Sequence, residues 1–89
     1  MYNNEIRTNL CNANDASNIE RKKDCLDNCL TFATYEIYES GVLSVSSRLL
    51  VMAANIVARR NGLYTLCKNF AYVLNYKSHE ERLVLTSND

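Results

Sequence analysis

Apolar positions between residues 45 and 60 recur at helical spacing nearly all the way round the helix they imply. Val45, Leu49, Met52, Ala53, Ile56 and Val57 form the main stripe. Leu50, Val51, Ala54 and Ala58 extend it, leaving Arg48, Asn55 and Arg59 as one narrow polar seam. A helix with so little polar surface needs neighbours on more than one side, so this segment is expected to be the central helix, with the main stripe as core. Ser44 suits the N-cap. Asn61 and Gly62 tolerate positive φ and follow two cationic residues, as a helix C-terminus favours. A second stripe, Leu63, Leu66, Cys67, Phe70, Val73 and Leu74, predicts a helix over 63–77. The turn between them is short, so the two helices are expected to pack antiparallel.

Upstream, Ser17, Asn18, Ile19 and Glu20 match a capping box and open a helix over 18–39, stopped by Gly41. Its stripe is Ile19, Leu26, Leu30, Ala33 and Ile37, widened by Cys25, Cys29 and Phe32. Residues 1–16 form a polar, Asn-rich leader with only Ile6 and Leu10 as anchors, in step with Tyr2. Their spacing allows a short docking helix or a frayed tail. Downstream, Ser78, His79, Glu80 and Glu81 repeat the capping pattern and predict a short helical segment over 79–85. The expected fold class is all-α: a small three-helix up-down-up bundle with a short fourth C-terminal segment. The division is a leader, 1–16, and a single helical domain, 17–89.

Composition supports this picture. Proline is absent and there are two glycines in 89 residues, which leaves long helices uninterrupted. Ten basic residues balance ten acidic ones. A neutral chain has no bulk attraction for phosphate backbones. The most apolar run, 42–58, contains Arg48, Asn55 and three serines, too short and too polar for a bilayer. With no apolar leader of the secretory kind, the expected setting is the cytoplasm, with no membrane partner and free thiols.

Candidate chemistry is sparse. Cys25 and Cys29 lie four apart on one helix face and could serve a thiol redox or metal protein. A structural zinc site uses two such pairs, and Cys11 and Cys67 do not make the second. The plainer reading makes Cys25, Cys29 and Cys67 small core hydrophobes, with Cys11 exposed. The single histidine, His79, has no sequence context for nucleophilic or general-base catalysis, and no phosphate-cradling or metalloprotease motif is present. No enzyme, cofactor or metal is expected. Arg48, Arg59, Arg60 and Lys68 are the footprint of a second reading, a nucleic-acid-associated regulator.

The tyrosines carry the first reading. On a wheel of 100° per residue, Tyr72 lies opposite Phe70 and Leu63, beside Tyr76, Thr65 and Asn69. Tyr35 and Tyr38 leave their own helix on its outer side. Tyrosine is enriched at interfaces because its ring buries well while its hydroxyl stays satisfied. Ala54 and the Leu66, Phe70 pair also resemble, over about 30 residues, a single tetratricopeptide helix pair. Only one unit is present, without the Trp, Tyr and Pro positions of that repeat, and the resemblance implies no more than a helix pair whose groove accepts a partner helix. The expected function is a small non-enzymatic protein-binding module (an adaptor, inhibitor or dedicated chaperone) acting through helix faces and able to form a homo-oligomer.

Overall fold

The computed structural model describes residues 2–76, which form four helices: α1 (Asn3–Asp15), α2 (Ile19–Ser40), α3 (Val45–Arg60) and α4 (Tyr64–Leu74). No strand occurs among the described residues. The fold is the all-α bundle that the hydrophobic pattern predicts. The segment expected at 79–85 lies outside the described residues. Helices α2 and α3 each touch the other three, whereas α1 and α4 do not meet.

The leader forms a docked helix, not a frayed tail. Ile6, Leu10 and Ala13, spaced 4 and 3, are buried. The ring of Tyr2 stacks on Phe32 at 5.9 Å and meets Tyr35 at 5.9 Å, fixing the start of α1 on α2. At the other end the Lys22 ammonium donates to the Ala13 carbonyl at 2.7 Å, satisfying one of the carbonyls that a helix end leaves open.

Helix α2 begins one residue later than the capping-box pattern implies. Asn18, not Ser17, is the cap, and its side-chain oxygen accepts from the amides of Glu20 (2.7 Å) and Arg21 (3.2 Å). Asn and Ser are equally good caps, so two adjacent candidates leave the choice to tertiary packing. The helix stops where expected: Gly41 has φ of 85°, and its N–H donates to the Ile37 carbonyl at 2.7 Å. The buried stripe is rotated from the predicted one. It comprises Leu26, Cys29, Ala33 and Glu36, while Ile19 is exposed and Leu30 and Ile37 lie half-buried at its edge. Docking of α1 draws the Cys29 side inward, where the thiol donates to the Ile6 carbonyl at 3.5 Å.

Glu36 is a charged residue type in the core, with 2% of its surface exposed. Its carboxylate accepts from the Tyr2 N–H (3.2 Å), the Ser44 N–H (2.8 Å) and the Ser47 hydroxyl (2.7 Å). These donors come from the start of α1, the cap of α3 and the first turn of α3. Ser44 in turn accepts from the Ser47 N–H at 3.1 Å, closing the α3 cap. A buried carboxylate is tolerated when such donors replace its water. Burial pushes the Glu36 pKa up, but the Ser44, Ser47 and Tyr2 bonds outweigh it and hold the carboxyl below its ordinary value.

This anchor sets the rotation of α3. Ser47 points inward, and so do Val51, Ala54 and Ala58, each of them fully buried. Of the stripe expected as core, Val45, Leu49, Met52 and Ile56 face outward, while Ala53 and Val57 are half-buried against the core. In α4, Leu66, Phe70 and Val73 are buried as the spacing predicts. Gly62, at φ of 71°, makes the turn. Arg48 donates to the Leu74 carbonyl, tying the end of α4 to the start of α3 in the antiparallel arrangement.

Glu36→Gln replaces one carboxylate oxygen with an amide donor that opposes an N–H or hydroxyl. The expected loss is about 2–3 kcal/mol, or roughly 10–20 °C in Tm for a domain of this size, read by thermal circular dichroism at pH 7. Because the folded pKa is depressed, this contribution is complete above the unfolded value. It is lost as pH falls below about 4.3 and through the folded pKa. The gap between wild type and Glu36→Gln should therefore narrow on acidification.

Candidate protein-binding surface

Helix α3 carries two apolar stripes with the same 4-3-4 spacing, displaced by two residues. Ser47, Val51, Ala54 and Ala58 face the core; Val45, Leu49, Met52 and Ile56 face water. Two residues are about 200° on the wheel, so the stripes lie on opposite sides. The inner one is made mostly of small residues, which let α3 approach its neighbours closely. The outer one is made of large aliphatic residues, with Val45 78% exposed, Leu49 60%, Met52 47% and Ile56 51%. The strip is about 16 Å long at 1.5 Å per residue. Scattered exposed hydrophobes are ordinary, but a contiguous run along one helix face marks an interaction surface. These four residues, expected in the core, lie outside it. The feature that separates the faces is the small-residue register Ser47, Ala54, Ala58, together with the need of Glu36 for donors.

The tyrosine face is divided by the fold. Tyr38 on α2, Tyr72 on α4 and Tyr76 just past its end come together around a cleft of about 500 Å³, lined also by Ile37 and Val73. Tyr38 and Tyr72 are strongly exposed there. Thr65 and Asn69 lie toward the opposite end of α4, lining a separate depression with Lys23, Asp27 and Tyr64. Tyr64 is itself exposed and was not singled out by the helical wheel. Tyr35 belongs to a third neighbourhood, edge-on to Phe32 at 6.1 Å and beside Tyr2.

The basic residues also separate. Arg48, half-buried, is engaged with the Leu74 carbonyl at the start of α3. Arg59 and Arg60 are exposed at its far end, more than 10 residues and about 16 Å away along the helix. Lys68 is exposed on α4.

All four cysteines are free thiols, with Cys11 exposed, Cys29 buried, and Cys25 and Cys67 between. Burial, with a smaller contribution from nearby Cys25, pushes the Cys29 thiol up to about 12. It keeps its proton and donates it to Ile6, while Cys67 donates to the Asn55 carbonyl at 3.8 Å. Among the described residues no group of three or more His, Cys, Asp or Glu side chains is placed to hold a metal ion. No helix among them is long and apolar enough to cross a membrane.

Comparison with protein families, with curated proteins and with solved structures finds no match.

The two α3 stripes make opposite predictions. Ala54→Leu and Ala58→Leu should each cost about 1–3 kcal/mol by overpacking. Leu49→Ala should cost less than about 1 kcal/mol, measured by urea unfolding at low protein concentration. Alkylation by iodoacetamide should modify Cys11 in the native protein and Cys29 only on unfolding, since the thiolate is the reactive form.

Proposed function

We propose that the protein is a non-enzymatic binding module that recognises another protein through the outer face of α3. The observation that carries this reading is the exposed stripe Val45, Leu49, Met52 and Ile56 on a helix whose opposite face is already packed. Such a stripe suits the apolar face of a partner helix, read at i, i+4, i+7 and i+11. Adaptor, inhibitor and dedicated chaperone are all roles that such a surface serves without bond-making chemistry. Arg59 at the end of the strip supplies a charged rim, which sets orientation and encounter more than affinity.

The cleft of Tyr38, Tyr72 and Tyr76 supports a second contact surface, because it gathers aromatic rings from two helices around an open groove.

Tagged wild type, Leu49→Glu and Tyr72→Glu, each checked for native helicity, should be compared in affinity capture from the native host. The stripe reading expects the specific partner to be lost with Leu49→Glu and retained with Tyr72→Glu. Retention by Leu49→Glu with loss by Tyr72→Glu would move the site to the tyrosine cleft. Retention by both variants would refute both surfaces.

A further inference from the structure

We propose that Asn61 and Gly62 form a self-modification site. The turn between α3 and α4 holds Asn61 as the amide, and opening of the turn exposes it to conversion into aspartate or isoaspartate with loss of ammonia. This goes beyond the reading of the α3 strip and does not depend on it.

The chemistry needs an asparagine followed by a residue whose backbone nitrogen can reach its side chain. The Gly62 nitrogen attacks the Asn61 Cγ and a C–N bond forms. The Gly62 proton passes to the side-chain nitrogen, which leaves as ammonia. Water then adds to one carbonyl of the resulting five-membered succinimide. Breaking the ring bond to Cγ gives aspartate on a normal backbone. Breaking the bond to the main-chain carbonyl carbon routes the chain through the side chain, as isoaspartate. No atom changes oxidation state overall, and water is the one co-reactant. Glycine hinders the attack least, because it has no Cβ beside the attacking nitrogen. Of the many asparagines in the chain, Asn61 alone precedes a glycine.

In the folded chain the reacting groups are exposed but neither free nor aligned. Asn61 has ψ of 9°. That angle swings the Gly62 nitrogen away from the Asn61 Cβ, whereas ring closure needs both on the same side of the Cα–C bond. The Gly62 N–H donates to the Arg59 carbonyl at 3.1 Å, and the Asn61 side-chain amide donates to the Val57 carbonyl at 2.7 Å. Just beyond, the Leu63 N–H donates to the Ala58 carbonyl at 2.9 Å and closes the turn. Nothing packs over this guard: a Cβ placed on Gly62 would meet no atom within 4 Å. The turn can therefore open through loss of these hydrogen bonds alone, with the core intact.

The product cannot rebuild the guard. A carboxylate replaces the amide that donates to Val57. It also sets a negative charge at the end of α3, where unpaired carbonyls already concentrate negative charge. Isoaspartate adds a methylene to the backbone inside the turn. Either change loosens the α3–α4 connection, and neither reverses by itself.

The full chain should be incubated in mildly alkaline buffer, native and in guanidinium chloride. Intact mass and chromatography that separates the Asn, Asp and isoaspartate forms of the peptide follow the conversion. In the denatured chain position 61 should convert ahead of every other asparagine, and Asn61→Gln should remove that fast phase. The native chain should give the same products about tenfold or more slowly, since the turn must open first. Asn61→Asp should melt a few degrees below wild type. A native rate equal to the denatured one would overturn the guard. Another asparagine converting first in the denatured chain would overturn the site. A native chain left unconverted while its Gly62 amide exchanges fully in deuterated water would overturn conversion through opening. An Asn61→Asp chain as stable as wild type would overturn the loosening of the turn.

Discussion

The carboxylate of Glu36 holds three helices in register. It receives the amide of Tyr2, the residue before α1, the cap amide of α3 and the Ser47 hydroxyl one turn further on. Each of these groups is near a helix start, where N–H groups lack intrahelical acceptors. One acidic side chain from the last turns of α2 thus accepts from three donors, the Ser47 hydroxyl buried and the two amides part-buried. It also fixes an angle as well as a distance. Ser47 can reach Glu36 only if α3 presents the Ser47, Val51, Ala54, Ala58 face inward. The geometry therefore commits the larger aliphatic face to the outside.

The exchange is physically reasonable. Burying Leu49, Met52 and Ile56 in place of Val51, Ala54 and Ala58 would remove more apolar area from water, by the usual proportionality between area and free energy. It would also break the Glu36 network and strand a charge in the core, a cost that commonly exceeds the gain from one aliphatic side chain. Small residues on the inner face permit the close approach to α1, α2 and α4 that the bundle needs. The surplus apolar face then becomes a surface for recognition. The tyrosine cleft is built differently, from Tyr38 on α2, Tyr72 on α4 and Tyr76 just past it, over Ile37 and Val73.

Much of the architecture is legible in the amino-acid pattern. The boundaries of α3, the Gly41 and Gly62 stops, the antiparallel α3–α4 pair and the buried stripe of α4 all follow from local rules. Two features do not. The cap of α2 fell between Ser17 and Asn18, residues of equal propensity. The inward face of α3 could not be chosen by hydrophobicity, because α3 is apolar on both sides and the larger residues are on the wrong one. The deciding partner, Glu36, lies in another helix and reads in sequence as an ordinary surface acid between Tyr35 and Ile37. For the same reason Thr65 and Asn69, on the same side of the α4 wheel as Tyr72 and Tyr76, part from them, and Tyr35 parts from Tyr38, once α1 and α2 are in place. A helical wheel gives directions on one helix, not the positions of neighbouring helices.

Intramolecular nuclear Overhauser contacts read the rotation of α3 directly. With isotope filtering to exclude contacts between copies, the methyl groups of Val51, Ala54 and Ala58 should show cross-peaks to protons of the buried cluster that includes Ile6, Leu26 and Phe70. Leu49, Met52 and Ile56 should show none to those residues. Cross-peaks from Leu49, Met52 and Ile56 to Ile6 or Leu26, with Ala54 and Ala58 silent, would mean that α3 turns its larger aliphatic face inward.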